Sequence, residues 1–255
     1  MKVVICCKLV PCSEDVRVTE SGIVDSAKAR WRISDYDLQA LQAGVDVASQ
    51  VGAKAIALIA GSESITSNTL KKDVLSRGVD ELYEIVDESF QYADTRRISH
   101  VLAEGVRKIG AELVVCGEGS ADRNAQQVGV QLGECLGWAS VNAVDHIDVE
   151  GKTLKLDRSL EYEIEELELS LPAVLAVTTS INSPSLPGMR SILAAAKKPQ
   201  VELSGTDFDL GEESSVEVLR TFSPAEPERK NIVFKGDISE SALQLVSALK
   251  QDGIL

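Results

Sequence analysis

The chain has 255 residues, 44% of them hydrophobic, and a formal net charge of −14, with a sequence pI near 4.7. That is enough for one large domain carrying an appendage. So acidic a surface argues against a nucleic-acid or anionic-membrane partner. Acidity alone marks an ordinary soluble chain; acidic surface kept for a basic partner is the alternative reading.

Residues 3–8 (VVICCK) form a short continuous apolar run, the pattern of a strand covered on both faces. The apolar start is too short for a signal-peptide core or a membrane span, so a cytoplasmic protein without membrane insertion is expected. Next, SDYDLQALQAGVDVASQVG places Leu38, Leu41, Val45 and Ala48 at helical spacing, with Ser34 or Asp35 positioned to cap its start. AKAIALIAG (53–61) reads as a second buried strand. A helix through TLKKDVLSRG closes on Gly78, and ELYEIVD (81–87) is a third strand. A helix over 95–109 and the strand ELVVC (112–116) follow, and a helix is expected over about 124–136 with Val128, Leu132 and Leu136 on one face.

This succession predicts an α/β fold with a doubly wound, mostly parallel, Rossmann-like sheet. Such sheets bind ligands at the carboxyl ends of their strands. Four segments should then meet in one crevice: those after Cys7, before Asp35, after Ala60 and after Cys116.

From about 141 the pattern alternates in period two, and Gly151 marks a turn, predicting a β-hairpin insertion over about 141–170. LPAVLAVTTSI (171–181) reads as a strand returning to the main sheet. A small helical turn is expected around 191–196, irregular chain over 200–236, and a closing amphipathic helix with Ala242, Leu243, Val246 and Leu249 on one face, capped by Asp237 with Glu240. The expected division is a nucleotide-binding domain over 1–199 and an arm over 200–255. Such an arm lies across a partner, or else packs on its own domain.

Catalytic residue types are sparse. Cys6, Cys7, Cys12, Cys116 and Cys135 are odd in number and show no CxxC or Cys/His spacing, so they read as free thiols in a reducing compartment. His100 and His146 have no Ser or Cys partner in any motif and read as surface or boundary residues.

The segment that asks for a ligand is GEGSADRNAQQVG (117–129), between an apolar strand and a helix. Helix N-termini bind phosphate through unpaired N–H groups without needing lysine. Gly117, Gly119, Ser120 and Ala121 permit close backbone approach. Asp122, Asn124, Gln126 and Gln127 supply acceptors and donors that suit ribose and phosphate oxygens. With no Walker lysine and no Ser/Thr to hold magnesium, phosphoryl transfer is disfavoured. CCKLVPCSED after the first strand likewise lacks the SGGxDS of ATP-pyrophosphatases. The loop suits holding a nucleotide, not cleaving one; a plain strand-to-helix turn is the bland alternative.

Five stretches together resemble the β subunit of electron transfer flavoproteins, especially its FixA-like branch: VVICCKLVP, ISDYDLQAL, KKDVLSRGVDELY, GEGSADRNAQQVGVQLGE and LELSLPAVLAVTTSINSPSLPGMRSILAAAKKP. The resemblance spans nearly the whole chain. It implies a heterodimer with an α subunit that holds most of the redox-active FAD, while the β-subunit site takes AMP, or a second FAD in electron-bifurcating members. Carried over residue by residue, that site comprises Cys6, Ser34, Asp35, Tyr36, Asp37, Ala60 and the whole 117–128 loop, so that Glu118, Arg123, Ala125 and Val128 join the loop residues already named. The resemblance also implies a docking loop over about 183–198, with Met189 and nearby Leu186 exposed for a dehydrogenase donor and Lys197 and Lys198 at its lysine-rich end. The arm would embrace the α subunit, and electrons would pass to a quinone- or ferredoxin-linked acceptor. Many members carry Asn-Pro where Ser34-Asp35 stands, Ile-Asp where Ala121-Asp122 stands, and Gly-Gly where Tyr162-Glu163 stands. These departures suit the FixA-like branch and leave AMP or FAD open.

The implied role is an electron carrier subunit with no bond-making active site, whose chemistry belongs to bound flavin. The competing reading is a nucleotide-sensing module of universal-stress-protein type, against which the long arm and docking-like loop speak. An enzyme acting on a nucleotide ranks last, because metal ligands and a nucleophile–base pair are missing.

Overall fold

The structure, a computed structural model, describes residues 1–204, 214–224 and 229–255. The expected irregular stretch over 200–236 therefore lies partly outside the described residues.

Apolar runs and helical repeats become elements nearly where the pattern places them. In chain order these are β1 (Lys2–Cys6), β2 (Leu9–Pro11), β3 (Arg17–Val18), β4 (Val24–Asp25), β5 (Trp31–Ile33), α1 (Asp35–Gln50), β6 (Lys54–Gly61), α2 (Asn68–Ser76), β7 (Glu81–Val86), α3 (Thr95–Ile109) and β8 (Leu113–Gly117). After them come α4 (Val128–Leu136), β9 (Ala139–Glu150), β10 (Thr153–Ser159), β11 (Ile164–Ser170), β12 (Ala173–Val177), α5 (Met189–Ala195), β13 (Gln200–Ser204) and α6 (Ile238–Gln251).

One sheet of nine strands has the order β11-β10-β9-β12-β8-β1-β6-β7-β13. From β9 to β13 all neighbours are parallel, and the antiparallel pairings of this sheet are β9 with β10 and β10 with β11. Helices cover both faces, as a parallel sheet requires if each strand is to bury both sets of side chains. In β1, Val3 and Ile5 join the core that holds Leu41 and Val47 of α1. Val4 and Cys6 join the opposite core, with Val101 and Val106 of α3 and Leu132 of α4. The fit of α1 on β1 needs Gly44, because a Cβ there would sit 2.3 Å from Ile5 Cγ1.

Two expectations are corrected. The helix expected over 124–136 begins only at Val128, because Asn124 (φ 44°) and Gln126 (φ 55°) adopt left-handed backbone incompatible with an α-helical turn. Residues 200–204, expected to be irregular, form β13, which pairs in parallel with β7 and closes that edge. The hairpin expected over about 141–170 forms with its turn at Gly151 and extends to a third strand, giving the antiparallel run β9-β10-β11 at one edge of the main sheet.

The arm is partly tied to its own domain. Ser215 N–H donates to the Asp94 carboxylate at 2.9 Å, and Asp94 N–H donates to Ser214 Oγ at 3.0 Å. Farther on, Val24 N–H donates to Thr221 O and Ser223 N–H to Gly22 O, so the arm joins the β3–β4 hairpin. Beyond it, α6 is capped by Asp237, whose carboxylate accepts Glu240 N–H. No residue of α6 is buried. No helix among the described residues is long and apolar enough to cross a membrane.

Candidate functional site

In the sheet order, β1 continues to β6 and β7 on one side while β8 lies on the other. The strand order thus reverses across β1, which puts the switch point between the carboxyl ends of β1 and β8, the place where open α/β sheets form their ligand crevice. Cys6 and Cys116 lie in register near the ends of these strands. Both thiols are buried. Burial pushes Cys116 up to about 12 and Cys6 well above its ordinary value, aided by Cys116 nearby. They form an inert floor, not a nucleophile. All five cysteines are free thiols, as expected.

Asp37 ties the walls together. It is 4% exposed, and its carboxylate accepts Lys8 N–H at 2.8 Å and Gly117 N–H at 3.1 Å. It therefore joins the segment after β1, the first turn of α1 and the end of β8. Burial raises its pKa to about 7, against the opposing pull of the two amides and the Lys8 charge. Gly117 is required here: a Cβ would lie 2.8 Å from both Asp37 Oδ1 and Tyr36 Cβ.

Ser34 occupies the N-cap of α1 but does not cap it with its side chain. Its hydroxyl instead accepts Ala121 N–H at 3.2 Å, binding the 117–128 loop to the helix start. Asp35 pairs with Arg32 at 2.8 Å. The ring of Tyr36 borders Gly119, where a Cβ would also strike Asn124 Oδ1 at 2.2 Å. Ser120 O accepts Asn124 N–H, which fixes the loop's turn. Ala60 lies near the end of β6, past Leu58, the register partner of Cys6.

The remaining loop residues diverge. Glu118 N–H donates to Val177 O of β12, and burial together with Asp145 raises its carboxyl pKa. Arg123 directs Nη1 at Ala93 O, 3.5 Å away. Ala125 and left-handed Gln126 are exposed, and Gln127 accepts from Thr95 Oγ1 at 2.8 Å. Val128 opens α4, whose N-cap residue Gln127 makes no side-chain capping bond. Unpaired N–H groups with a partial positive charge therefore face the loop, the arrangement that receives anions.

Two features escaped sequence reasoning. Lys8 Nζ crosses to the loop and pairs with Asp122 at 2.6 Å; its only sequence signal was a cation at the end of a strand. Beside the loop, Asp145 accepts hydroxyls from Thr178 at 2.6 Å, Ser180 at 2.7 Å and Ser159 at 3.2 Å. His100 lies on α3 and His146 on β9. No group of three or more metal-ligating side chains occurs among the described residues.

Away from the crevice, Leu186 is 87% and Met189 74% exposed. Lys197 is exposed, whereas Lys198, expected beside it at the docking end, turns inward. Its ammonium donates to Leu75 O at 2.9 Å and Val79 O at 2.5 Å, satisfying carbonyls at the end of α2.

The arrangement offers close backbone approach, an uncapped helix start and polar side chains around buried thiols. Residues 21–207 match the electron transfer flavoprotein domain, and on that match the chain belongs to the electron transfer flavoprotein family, whose proteins carry electrons.

Proposed function

We propose that the chain is the β subunit of an electron transfer flavoprotein of the FixA-like branch. It pairs with an α subunit that carries FAD and holds AMP or a second FAD in its own crevice. The crevice between β1 and β8, with its uncapped α4 start, is the observation that carries this reading. The nucleotide's phosphate would meet the N–H groups at the start of α4, as helix N-termini favour. Gly117 and Gly119 would let the ligand approach the backbone, and Asp37 would hold the walls in place. When bound, the flavin supplies the redox chemistry; these residues bind and orient it.

Two exposed apolar features support a multi-partner role. In α6, Leu243 is 70% exposed and Ile238 and Val246 are exposed beside it, suiting the arm to the α subunit. Leu186 and Met189 project near α5 and suit contact with a dehydrogenase donor. Electrons would then pass to a quinone- or ferredoxin-linked acceptor.

The test is to co-express the chain with its α subunit, purify the complex, release ligands with acid and quantify FAD and AMP. Two FAD per heterodimer assign flavin to the crevice and make bifurcation testable. One FAD with one AMP makes the chain part of a simple shuttle. A folded complex containing neither overturns the reading.

A further inference from the structure

A phosphate-bearing ligand meets an electrostatic obstacle in this chain. The net charge of −14 repels anions at long range, and the loop adds Glu118 and Asp122 at the crevice itself. Arg123, the loop's own cation, reaches away to Ala93 O. The ammonium delivered to the loop is that of Lys8, with Nζ 2.7 Å from Asp122 Oδ1 and 2.6 Å from Oδ2.

Lys8 is anchored through its backbone. Its N–H donates to Asp37, and its carbonyl accepts Ser34 N–H at 3.0 Å. The root of the side chain is thus fixed at the mouth of the crevice, while a flexible four-carbon stem carries three donors. Asp122 stays ionised: burial alone would raise its pKa, but the Lys8 charge and hydrogen bonds outweigh that and lower it. The side chains are 43% and 24% exposed, and a pair so open to water contributes little to stability. Folding gains little from this contact, whereas an incoming anion would gain much from its lysine.

We propose that Lys8 is the phosphate selector of the crevice: Asp122 holds it in the chain by itself and yields it to the phosphate of a bound nucleotide. This rests on the nucleotide-binding reading above and adds a specific chemical preference. The uncapped start of α4 contributes partial charge only. The Lys8 ammonium adds a full positive charge that a nucleoside without phosphate cannot exploit. Asp122 competes with the ligand for that charge and so sets how strongly the site favours phosphate.

The experiment measures AMP and adenosine binding to the full-length chain by titration calorimetry, with FAD as a third probe. A hydrogen bond to a charged group is worth about 1.5–3 kcal/mol, so Lys8→Met should weaken AMP about tenfold or more and leave adenosine unchanged. Lys8→Arg, which keeps the charge, should retain most of the affinity. Asp122→Asn should tighten AMP severalfold relative to adenosine. Wild-type affinity for AMP should fall with added salt, and that for adenosine should not. Equal losses for AMP and adenosine in Lys8→Met, or no loss in either, overturn the proposal. Should FAD alone bind, loss on Lys8→Met together with salt sensitivity supports it, and binding insensitive to both overturns it. Failure of all three probes to bind the wild type sinks the nucleotide reading itself, and this proposal with it.

Discussion

The Asp37 carboxylate accepts the Gly117 amide at 3.1 Å, joining the first turn of α1 to the last residue of β8 across 80 positions of sequence. The same group accepts Lys8 N–H, so one buried side chain braces both strands that flank the crevice. Its cost is electrostatic. Burial lifts the pKa from an ordinary 3.8 to about 7.

The sign of the pH dependence follows. A carboxyl whose folded pKa lies above its unfolded value binds more protons when folded. Its contribution is fully present below the unfolded value and is lost as pH rises through about 7. A tenfold change in a carboxyl's acidity between unfolded and folded chain corresponds to about 1.4 kcal/mol. The stability of the wild type relative to Asp37→Asn should therefore decline between about pH 4 and 7 and level off above. Urea unfolding of both proteins across that range checks it; a flat difference would show that the two amides fully offset burial.

Lys198 should matter to the fold. Its ammonium satisfies two carbonyls near the end of α2 from a half-buried position. Lys198→Met would keep the apolar stem and strand those acceptors, costing roughly 1–3 kcal/mol. Lys197→Met, on an exposed neighbour, should stay within about 0.5 kcal/mol of wild type. Thermal melts of the two variants distinguish an internal brace from a surface cation.

α6 is amphipathic and has no buried residue. A double change, Leu243→Asp with Val246→Asp, should leave the melting of the isolated chain nearly unchanged. It should abolish or strongly weaken association with the α subunit, read by light scattering after size exclusion. Loss of stability in the isolated chain would instead place this face on its own domain.

Met189 and Leu186 stand clear of the core. Met189→Ala with Leu186→Ala should preserve stability and ligand content while slowing reduction by the partner dehydrogenase at least severalfold. Stopped-flow reduction of the flavin complex measures this. An unchanged rate would remove these two side chains from docking.

Much of the architecture was legible because burial imposes periodicity. α3 occupies 95–109 as its apolar spacing indicates, and the continuous apolar run at β12 marks a strand buried on both faces, between β8 and β9. Misses occurred where local pattern carries no burial signal. β13 is short and is defined by pairing with β7. The late start of α4 follows from left-handed Asn124 and Gln126. Asparagine tolerates that conformation, so it offered a hint, whereas glutamine offered none.

By itself, the sequence determined the parallel sheet, its helices and the glycine-rich loop after β8, because hydrophobic spacing and turn chemistry act over a few residues. Only the tertiary structure decided which charges meet. Lys8 and Asp122 lie 114 positions apart, and Asp37 and Gly117 lie 80 apart. Parallel pairing of β1 with β8 brings these residues within hydrogen-bond reach. Contacts of that kind depend on strand order and register, which periodicity within a single strand does not encode.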